Sequence, residues 1–352
     1  MNRPLAALPK AHLHLHFTGS ARVRTIQDMA VKHGIRLPQS LRDAYPPQLS
    51  GGRDERGWFR FQRLYDAARH CVQDEEDMRR IVREAAQDDG AEGSRWLELQ
   101  VDPTSYAPFV GGITPALEIV LDEARRVSAD APRTGAAPVA IIVAASRIRH
   151  PLDARTLARL AAQHAGEGPG QVVGFGLSND ERRGMTEEFG PAFAIAERAG
   201  LALVPHAGEL LGPESVETTL SAIGPDRLGH GVRAVEDPRV LELVAAAGVA
   251  LEVCPGSNIA MGVVECAADV PLRQIVGAGI DVALGADDPL LFDSRLIDQY
   301  ALARNELGFT DLELADLARG SLRASRMPAD LRAEAEADID TWLATEPGPL
   351  DR

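Results

Sequence analysis

The feature that most constrains the fold is a repeated alternation of short apolar, β-branched segments with longer segments of helical periodicity. Eight segments have the character of strands, and they cover residues 11–17, 95–101, 139–145, 171–177, 201–206, 227–231, 249–254 and 281–285. Strands that alternate with helices form parallel βαβ units, and eight such units close into a barrel. We therefore predict an α/β fold of the (β/α)₈ TIM barrel type. An open doubly wound sheet is the alternative, but no glycine fingerprint follows the first strand.

Helical periodicity fills the intervals between these strands and continues at two further places. Between strands we predict helices over 114–127, 154–164, 188–199, 213–223, 237–247 and 271–278. Periodicity over 59–72 and 75–88 predicts a helical insertion after the first strand, at about 35–93. Extra C-terminal helices are predicted over 295–306, 311–326 and 329–345. We expect the chain, 1–352, to form a single barrel domain that carries this insertion.

The charge and composition of the chain restrict its partners. Its 352 residues include 37 Lys and Arg against 52 Asp and Glu, which gives a formal net charge of −15. Such a field repels phosphate backbones and anionic lipids, so we expect neither a nucleic-acid nor a membrane partner. Three cysteines are too few for a disulfide framework, and no apolar segment has signal-peptide or membrane-spanning length. We expect a cytoplasmic protein, and the sequence leaves its oligomeric state open.

Residues that bind metals or transfer protons collect at the carboxyl ends of four predicted strands, where TIM barrels place their active sites. His12, His14 and His16 alternate along the first strand, and this alternation predicts that all three face the same side. The other members are His206 and Glu209 at strand five, His230 at strand six, and Asp287 and Asp288 at strand eight. Imidazole and carboxylate are usual zinc ligands, and zinc lowers the pKa of a bound water to about 7. The pattern predicts metal-assisted hydrolysis of an electrophilic carbon and does not name the substrate.

Several short motifs together resemble the adenosine deaminase family of the amidohydrolase superfamily. The main matches are LPKAHLHLH at 8–16, HAGE at 206–209, GHG at 229–231 and DDP at 287–289. Supporting matches are LSNDE at 177–181, EVCPGSN at 252–258 and PLLF at 289–292. They occur in the family order and span about residues 8–345. The resemblance implies a TIM-barrel hydrolase that acts on a C–N bond of a purine.

The resemblance also implies a metal site with one zinc ion per subunit. Its four ligands would be His14, His16, His206 and Asp287. His16 would contact the substrate as well. The fourth strand's end, 174–181, contains no lysine that could bridge a second metal ion, and this favours a single ion.

Proton transfer and substrate binding are implied for five further residues. Glu209 would protonate the purine ring nitrogen next to the reacting carbon, and His230 would act as base toward the attacking water. Asp288 would hydrogen-bond that water and the five-membered ring. Backbone groups of Ser178 and Asn179 would meet another ring nitrogen.

Three positions depart from the pattern that the family shows. His12 stands where the family commonly has glutamate, and we expect it to line the barrel interior rather than bind zinc. Thr18 replaces the acidic residue that faces the ribose or adenine, and by alternation we expect it to share the face of His16 and bind substrate. Asn179 replaces a common glycine, which is tolerable because asparagine adopts unusual backbone angles more readily than most residues.

The implied reaction is zinc-dependent hydrolytic deamination of a 6-aminopurine in purine metabolism. The simplest substrate is adenosine or 2′-deoxyadenosine, which would yield inosine or 2′-deoxyinosine and ammonia. Adenine, an N6-substituted adenine and a 5′-modified nucleoside such as aminodeoxyfutalosine are alternatives, because Thr18 leaves the sugar end undefined. An alternative of another class is a catalytically silent nucleoside-binding protein, and the intact Glu209, His230 and Asp288 argue against it.

An apolar cluster in the predicted insertion should lie near the sugar end of the substrate. Its members are Trp58, Phe59, Phe61, Leu64 and Tyr65. Such residues can cover a pocket or pack between helices. We expect them to pack as helix core.

Overall fold

The computed structural model describes residues 3–42 and 55–346. Its eight strands are β1 Lys10–His16, β2 Ser94–Val101, β3 Val139–Ser146, β4 Val172–Ser178, β5 Ala202–Ala207, β6 Arg227–His230, β7 Ala250–Val253 and β8 Val282–Leu284. Each strand pairs in parallel with the next one along the chain. The predicted barrel is thereby confirmed.

The segment after β8 returns to β1 and brings the two ends of the sheet together. The backbone N–H of His16 donates to the carbonyl of Asp287 at 3.1 Å, and the N–H of Asp287 donates to the carbonyl of His14 at 3.0 Å. Leu15 and Asp287 form the corresponding parallel bridge. Three predicted site residues therefore lie at the seam of the barrel.

Helices occupy the intervals between strands, as predicted. Those up to β5 are α1 Val23–Lys32, α2 Glu55–Arg69, α3 Glu75–Ala91, α4 Ala107–Val110, α5 Ile113–Thr134, α6 Pro151–Gln163 and α7 Gly190–Arg198. Those that follow are α8 Pro213–Ile223, α9 Pro238–Ala247, α10 Pro255–Ala260, α11 Leu272–Gly277, α12 Pro289–Phe292, α13 Leu296–Asn305, α14 Asp311–Ala324 and α15 Ala329–Ala344. In the part of the chain that the structure describes, no helix is both long and apolar enough to cross a membrane.

Local sequence signals fix the ends of several helices. Thr310 and Glu313 form a capping box at the start of α14, where each side chain accepts a hydrogen bond from the other residue's backbone N–H. Helix α9 begins with Pro238 and ends at Gly248, which has a left-handed φ of 67°. These signals turn the chain back toward the next strand.

The helical insertion and the extra C-terminal helices are both present. Helices α2 and α3 lie within the predicted insertion, and its residues 43–54 fall outside the described residues. Helix α14 packs against β1 and β8. At its end the carbonyl of Ala324 accepts a 2.8 Å hydrogen bond from Arg227 Nη1, so this segment covers the amino end of the barrel interior.

Strand β1 is irregular, and this irregularity corrects the prediction that its three histidines share a face. The register against β2 shifts between His12 and Leu15. The shift interrupts the alternation of side chains, as a bulge does. His12 pairs with Leu97, and its Nδ1 lies 3.0 Å from Asp89 of α3. His12 thus faces the surrounding helices rather than lining the barrel interior.

Helix α3 approaches α5 closely at Gly90. A Cβ built on Gly90 would lie 2.0 Å from the carbonyl oxygen of Gly135 and 2.8 Å from Cα of Ala136. Glycine inside a helix ordinarily costs about 1 kcal/mol relative to alanine. Here the backbone contact requires it.

We therefore expect Gly90→Ala to destabilise the protein by about 1–3 kcal/mol through overpacking. The matched control is Gly277→Ala in α11, where a Cβ meets nothing within 4 Å among the described residues. That change should be neutral or stabilising by up to about 1 kcal/mol. Urea unfolding midpoints measure both effects, and equal midpoints for the two variants would contradict the close packing of α3.

Candidate functional site

Four histidines and a carboxylate from four parts of the barrel meet at the carboxyl ends of its strands. The ring centroid of His14 lies 5.2 Å from that of His16, 4.7 Å from His206 and 4.8 Å from His230. Asp287, just after β8, is 3.1 Å from His16 Nε2 and 3.5 Å from His14 Nε2 through Oδ1. Except for His16, these residues are all buried.

This cluster fits a metal ion. His14, His16 and Asp287 form one set whose ligand atoms lie within 4.8 Å of one another, and His14, His206 and His230 form another. His14 Nε2 is buried and has no hydrogen-bond partner among the described residues. Nitrogen and carboxylate donors of this kind are those that zinc prefers.

Gly229 makes room for two of the imidazoles. A Cβ at this position would lie 2.9 Å from His14 Cε1 and 3.0 Å from His206 Nδ1. Any larger residue would displace one of the two rings. The glycine before His230 in the GHG motif is therefore a packing requirement of the cluster.

Three site residues hold left-handed backbone conformations that only glycine adopts freely. The φ angles are 81° at Asn179, 63° at His230 and 61° at Asp287. Such conformations cost about 1–3 kcal/mol each and persist where the surrounding structure enforces them. Asn179 therefore tolerates the glycine-like conformation that the sequence predicts for it.

Glu209, His230 and Asp288 surround the candidate ligands. Glu209 Oε2 lies 3.7 Å from His230 Nε2, and Nδ1 of the same imidazole lies 3.2 Å from the side-chain amide of Asn258. Asp288 Oδ1 is buried without a hydrogen-bond partner in the described part of the chain. These three side chains thus offer polar atoms that could form hydrogen bonds with a ligand.

Burial and neighbouring charges separate the pKa values of these groups. Burial, followed by the charges of Asp287 and Glu181, raises the pKa of Glu209 well above its ordinary value. Burial and the charge of Asp287 raise the pKa of Asp288 in the same way. Burial and the charge of His14 lower the pKa of His230 to about 3. Burial thus acts in opposite directions on the two pKa values, and it favours the uncharged form of both Glu209 and His230.

Asp287 differs from the other two carboxyl groups. Burial would raise its pKa, but the imidazoles of His14 and His16, at 3.5 and 3.1 Å from its Oδ1, hold it well below the ordinary value. Ser257 Oγ donates a further hydrogen bond to Asp287 Oδ2 at 2.6 Å. Asp287 is thus an anion at neutral pH, and the hydrogen bond from Ser257 fixes the orientation of its carboxylate.

Sequence reasoning assigned no role to Glu181, although this residue belongs to the LSNDE motif. Its buried carboxylate accepts five hydrogen bonds of 2.6–3.0 Å, from the backbone N–H groups of Gly208, Glu209, Leu210 and Leu211 and from Ser215 Oγ. The turn that carries Glu209 is therefore built around Glu181. The only sequence signal was an acidic residue directly after a buried strand.

A cavity extends from the histidine cluster toward helix α2. Ser178 and Asn179 line it, and so do His16, Glu209 and Asp288. Trp58, Phe61 and Tyr65 of α2 also line it, and Trp58 and Phe61 belong to the hydrophobic core as expected, so the cluster combines core packing with lining of the cavity. Phe59 of the same cluster is 52% exposed.

Thr18 lies behind the wall of this cavity. It is fully buried, and its hydroxyl forms a 2.6 Å hydrogen bond with the hydroxyl of Tyr106. Tyr106 lines the cavity, whereas Thr18 is not part of the lining that the described residues form. The alternation expected from His16 does not continue because the strand ends there and the chain turns. The structure thus places Thr18 behind Tyr106 rather than on the cavity surface, contrary to the expected alternation.

Comparison with known proteins agrees with this site. The family described as adenosine deaminase matches residues 9–342. A provisionally named adenosine/adenine deaminase of Streptomyces virginiae is 57% identical over 341 residues, which cover 97% of this chain and 98% of that protein. An aminodeoxyfutalosine deaminase of Streptomyces avermitilis is 32% identical over 340 residues, which cover 97% of this chain and 92% of that protein.

The solved structure of an adenine deaminase from Arthrobacter aurescens has the same architecture. It matches with a TM-score of 0.85 at 27% identity, over 96% of this chain and 99% of that one. The family match covers nearly the whole barrel and includes every strand end that contributes to the histidine cluster. The chain belongs to the adenosine deaminase family, and it is a hydrolase of C–N bonds that acts on 6-aminopurines.

Proposed function

We propose that the protein is a zinc-dependent deaminase of adenosine and 2′-deoxyadenosine. The observation that carries the proposal is the pairing, in one buried site, of a carboxyl group with an imidazole. Glu209 and His230 form this pair at 3.7 Å, beside the histidine and aspartate cluster. An acid and a base with separated pKa values are what a hydrolytic proton transfer requires.

Four residues would hold one zinc ion, namely His14, His16, His206 and Asp287. Support comes from the free buried Nε2 of His14 and from the anionic state of Asp287. Zinc, when bound, would supply Lewis-acid activation of water near neutral pH. His230 is left out of this set because its Nε2 faces Glu209 and its Nδ1 contacts Asn258.

Glu209 would act as the acid and His230 as the base. Glu209 would donate its proton to the ring nitrogen next to C6, which makes that carbon more electrophilic. The neutral imidazole of His230 would accept the proton of the attacking water. The water oxygen would bond to C6 and give its second proton to the Glu209 carboxylate, and His230 would pass its proton to the amino group. The C6–N bond then breaks and ammonia leaves, so the products are inosine or 2′-deoxyinosine.

Three further groups would orient the purine. The unpartnered Oδ1 of Asp288 would hydrogen-bond the water and the five-membered ring. Backbone groups of Ser178 and Asn179 line the cavity and would meet another ring nitrogen. His16, which also lines the cavity, would contact the substrate.

The α2 side of the cavity supports a substrate larger than a free base. Polar side chains of Gln62, Arg69, Asp102 and Ser105 line it there. Adenine alone has no hydroxyl groups to meet them, whereas a nucleoside does. A 5′-modified nucleoside with an anionic extension is a second candidate, because the guanidinium of Arg69 lines this region and the Streptomyces avermitilis relative is named for aminodeoxyfutalosine.

Glu209→Gln should keep zinc and lose turnover by about 10²–10⁴-fold, because a carboxamide cannot deliver the proton. Zinc content by atomic absorption and ammonia release from adenosine measure the two effects. Loss of zinc together with activity would assign Glu209 to the metal site instead.

Asp287→Ala and His16→Ala should reduce zinc content well below one ion per subunit. The control is His33→Ala, because His33, Asp74 and Asp77 form a second group with metal-ligand spacing. In that group Lys32 Nζ lies 2.6 Å from Asp74 and 2.8 Å from Asp77, and its ammonium group competes with a metal ion for both carboxylates. Zinc that survives Asp287→Ala and disappears in His33→Ala would move the metal site.

Rates of ammonia release from a panel of 6-aminopurines, measured on the zinc-loaded enzyme, test which substrate the protein prefers. We expect adenosine and 2′-deoxyadenosine to have a higher kcat/KM than adenine and N6-methyladenine. Arg69→Gln should lower kcat/KM for a 5′-carboxylated adenosine by about tenfold or more, as loss of a hydrogen bond to a charged group does, and should lower kcat/KM for adenosine by a smaller factor. A preference for adenine would contradict the proposed nucleoside.

A further inference from the structure

We propose that Glu252, held by Arg227 and Glu98, is a positioning residue that fixes the orientation of His14 toward the metal. The proposal rests on the metal-dependent function above. It adds three residues of the barrel interior that lie behind the candidate ligands. Side chains of all three are at most 1% exposed.

The two ring nitrogens of His14 have different surroundings. Nδ1 lies 2.7 Å from Glu252 Oε2. Nε2 is buried on the side of Asp287 and forms no hydrogen bond with any described residue. A carboxylate only accepts, so the neutral imidazole carries its proton on Nδ1 and presents the lone pair of Nε2 to the site. Partners of this kind fix the tautomer and orientation of metal-binding histidines.

Glu252 is itself fixed from the other side. Its Oε1 accepts a 2.7 Å hydrogen bond from Arg227 Nε. Glu252 lies on β7, Arg227 on β6 and His14 on β1, so the contact joins three strands across the barrel interior. The guanidinium compensates the buried carboxylate, which would be costly if unpaired.

Glu98 on β2 is the last member of this hydrogen-bonded series of side chains. Its Oε2 accepts from Arg227 Nη2 at 2.5 Å, and its Oε1 accepts from Trp96 Nε1 at 2.9 Å and from the backbone N–H of Arg326 at 2.6 Å. The backbone after α14 thus holds Glu98 in place. The hydrogen-bonded series of side chains that begins at Glu98 ends at the imidazole of His14.

A purely structural role would not require this composition. Buried ion groups are often replaced by apolar residues without loss of stability, so folding alone does not explain them. Both partners of Glu252 donate, which means that only a carboxylate satisfies them together. In Glu252→Gln the amide NH₂ group must face either the donor on His14 or the donor on Arg227.

The test measures zinc affinity of the metal-free protein by competition with a chromophoric chelator. Glu252→Gln should raise the zinc Kd by about 10–100-fold, as loss of such a partner does at other metal sites. Glu98→Gln should raise the Kd in the same direction by a smaller factor. The matched control is Glu123→Gln, the same change at a carboxylate of α5 that is 1% exposed and paired with Arg79, Arg83 and Arg126, and its Kd should equal that of the unchanged protein.

Thermal unfolding of each metal-free variant reports whether it is folded. If Glu252→Gln does not fold, nitrogen-15 spectra of the histidine-labelled, zinc-loaded unchanged protein decide the question. The proton of His14 should reside on Nδ1, and a proton on Nε2 would overturn the proposal. A folded Glu252→Gln with unchanged Kd would overturn it as well. Neither result touches the proposed deaminase activity, which fails separately if the zinc-loaded protein releases no ammonia from any 6-aminopurine.

Discussion

The backbone seam between β1 and the segment after β8 is the constraint on which the rest of the site depends. Asp287 exchanges backbone hydrogen bonds with His14 and His16, so closing the barrel brings these three side chains together. Residues from β5 and β6 then reach the same point because all strands are parallel and end at one rim. The geometry of the candidate metal site is therefore a consequence of barrel closure.

Burial at this rim produces the chemical differences between like residues. Burial, followed by the charge of Asp287, raises the pKa values of Glu209 and Asp288, whereas the imidazoles of His14 and His16 outweigh burial and hold the pKa of Asp287 low. Burial, followed by the effect of the nearby His14, lowers the pKa of His230 to about 3. Groups with such separated pKa values occur at catalytic sites, where acid and base roles must differ at one pH.

Much of this arrangement could be predicted from the sequence, and the failures have physical causes. Strand periodicity and the order of the motifs gave the barrel, the insertion and the convergence of His14, His206 and Asp287. The position of His12 could not be predicted, because a register shift depends on pairing with β2 rather than on local pattern. The predicted orientation of Thr18 failed for a related reason. Side chains alternate between faces only within a strand, and β1 ends at His16.

The groups that support the site were the hardest to predict. Glu181 and Glu252 belong to recognisable motifs, but their function depends on distant partners that only the folded chain supplies. The same holds for Gly229, whose missing Cβ matters only because two imidazoles lie against it. Sequence patterns identify residues that carry reactive groups more readily than residues that hold them.

A crystal structure of the zinc-loaded protein, with anomalous scattering recorded at the zinc edge, tests the central claim most directly. We predict one zinc peak bonded to His14, His16, His206 and Asp287, with zinc–nitrogen distances of about 2.0–2.1 Å. Glu209 and His230 should lie outside bonding distance of the ion. A peak bonded to His230 in place of His16, or located at His33, Asp74 and Asp77, would contradict the account.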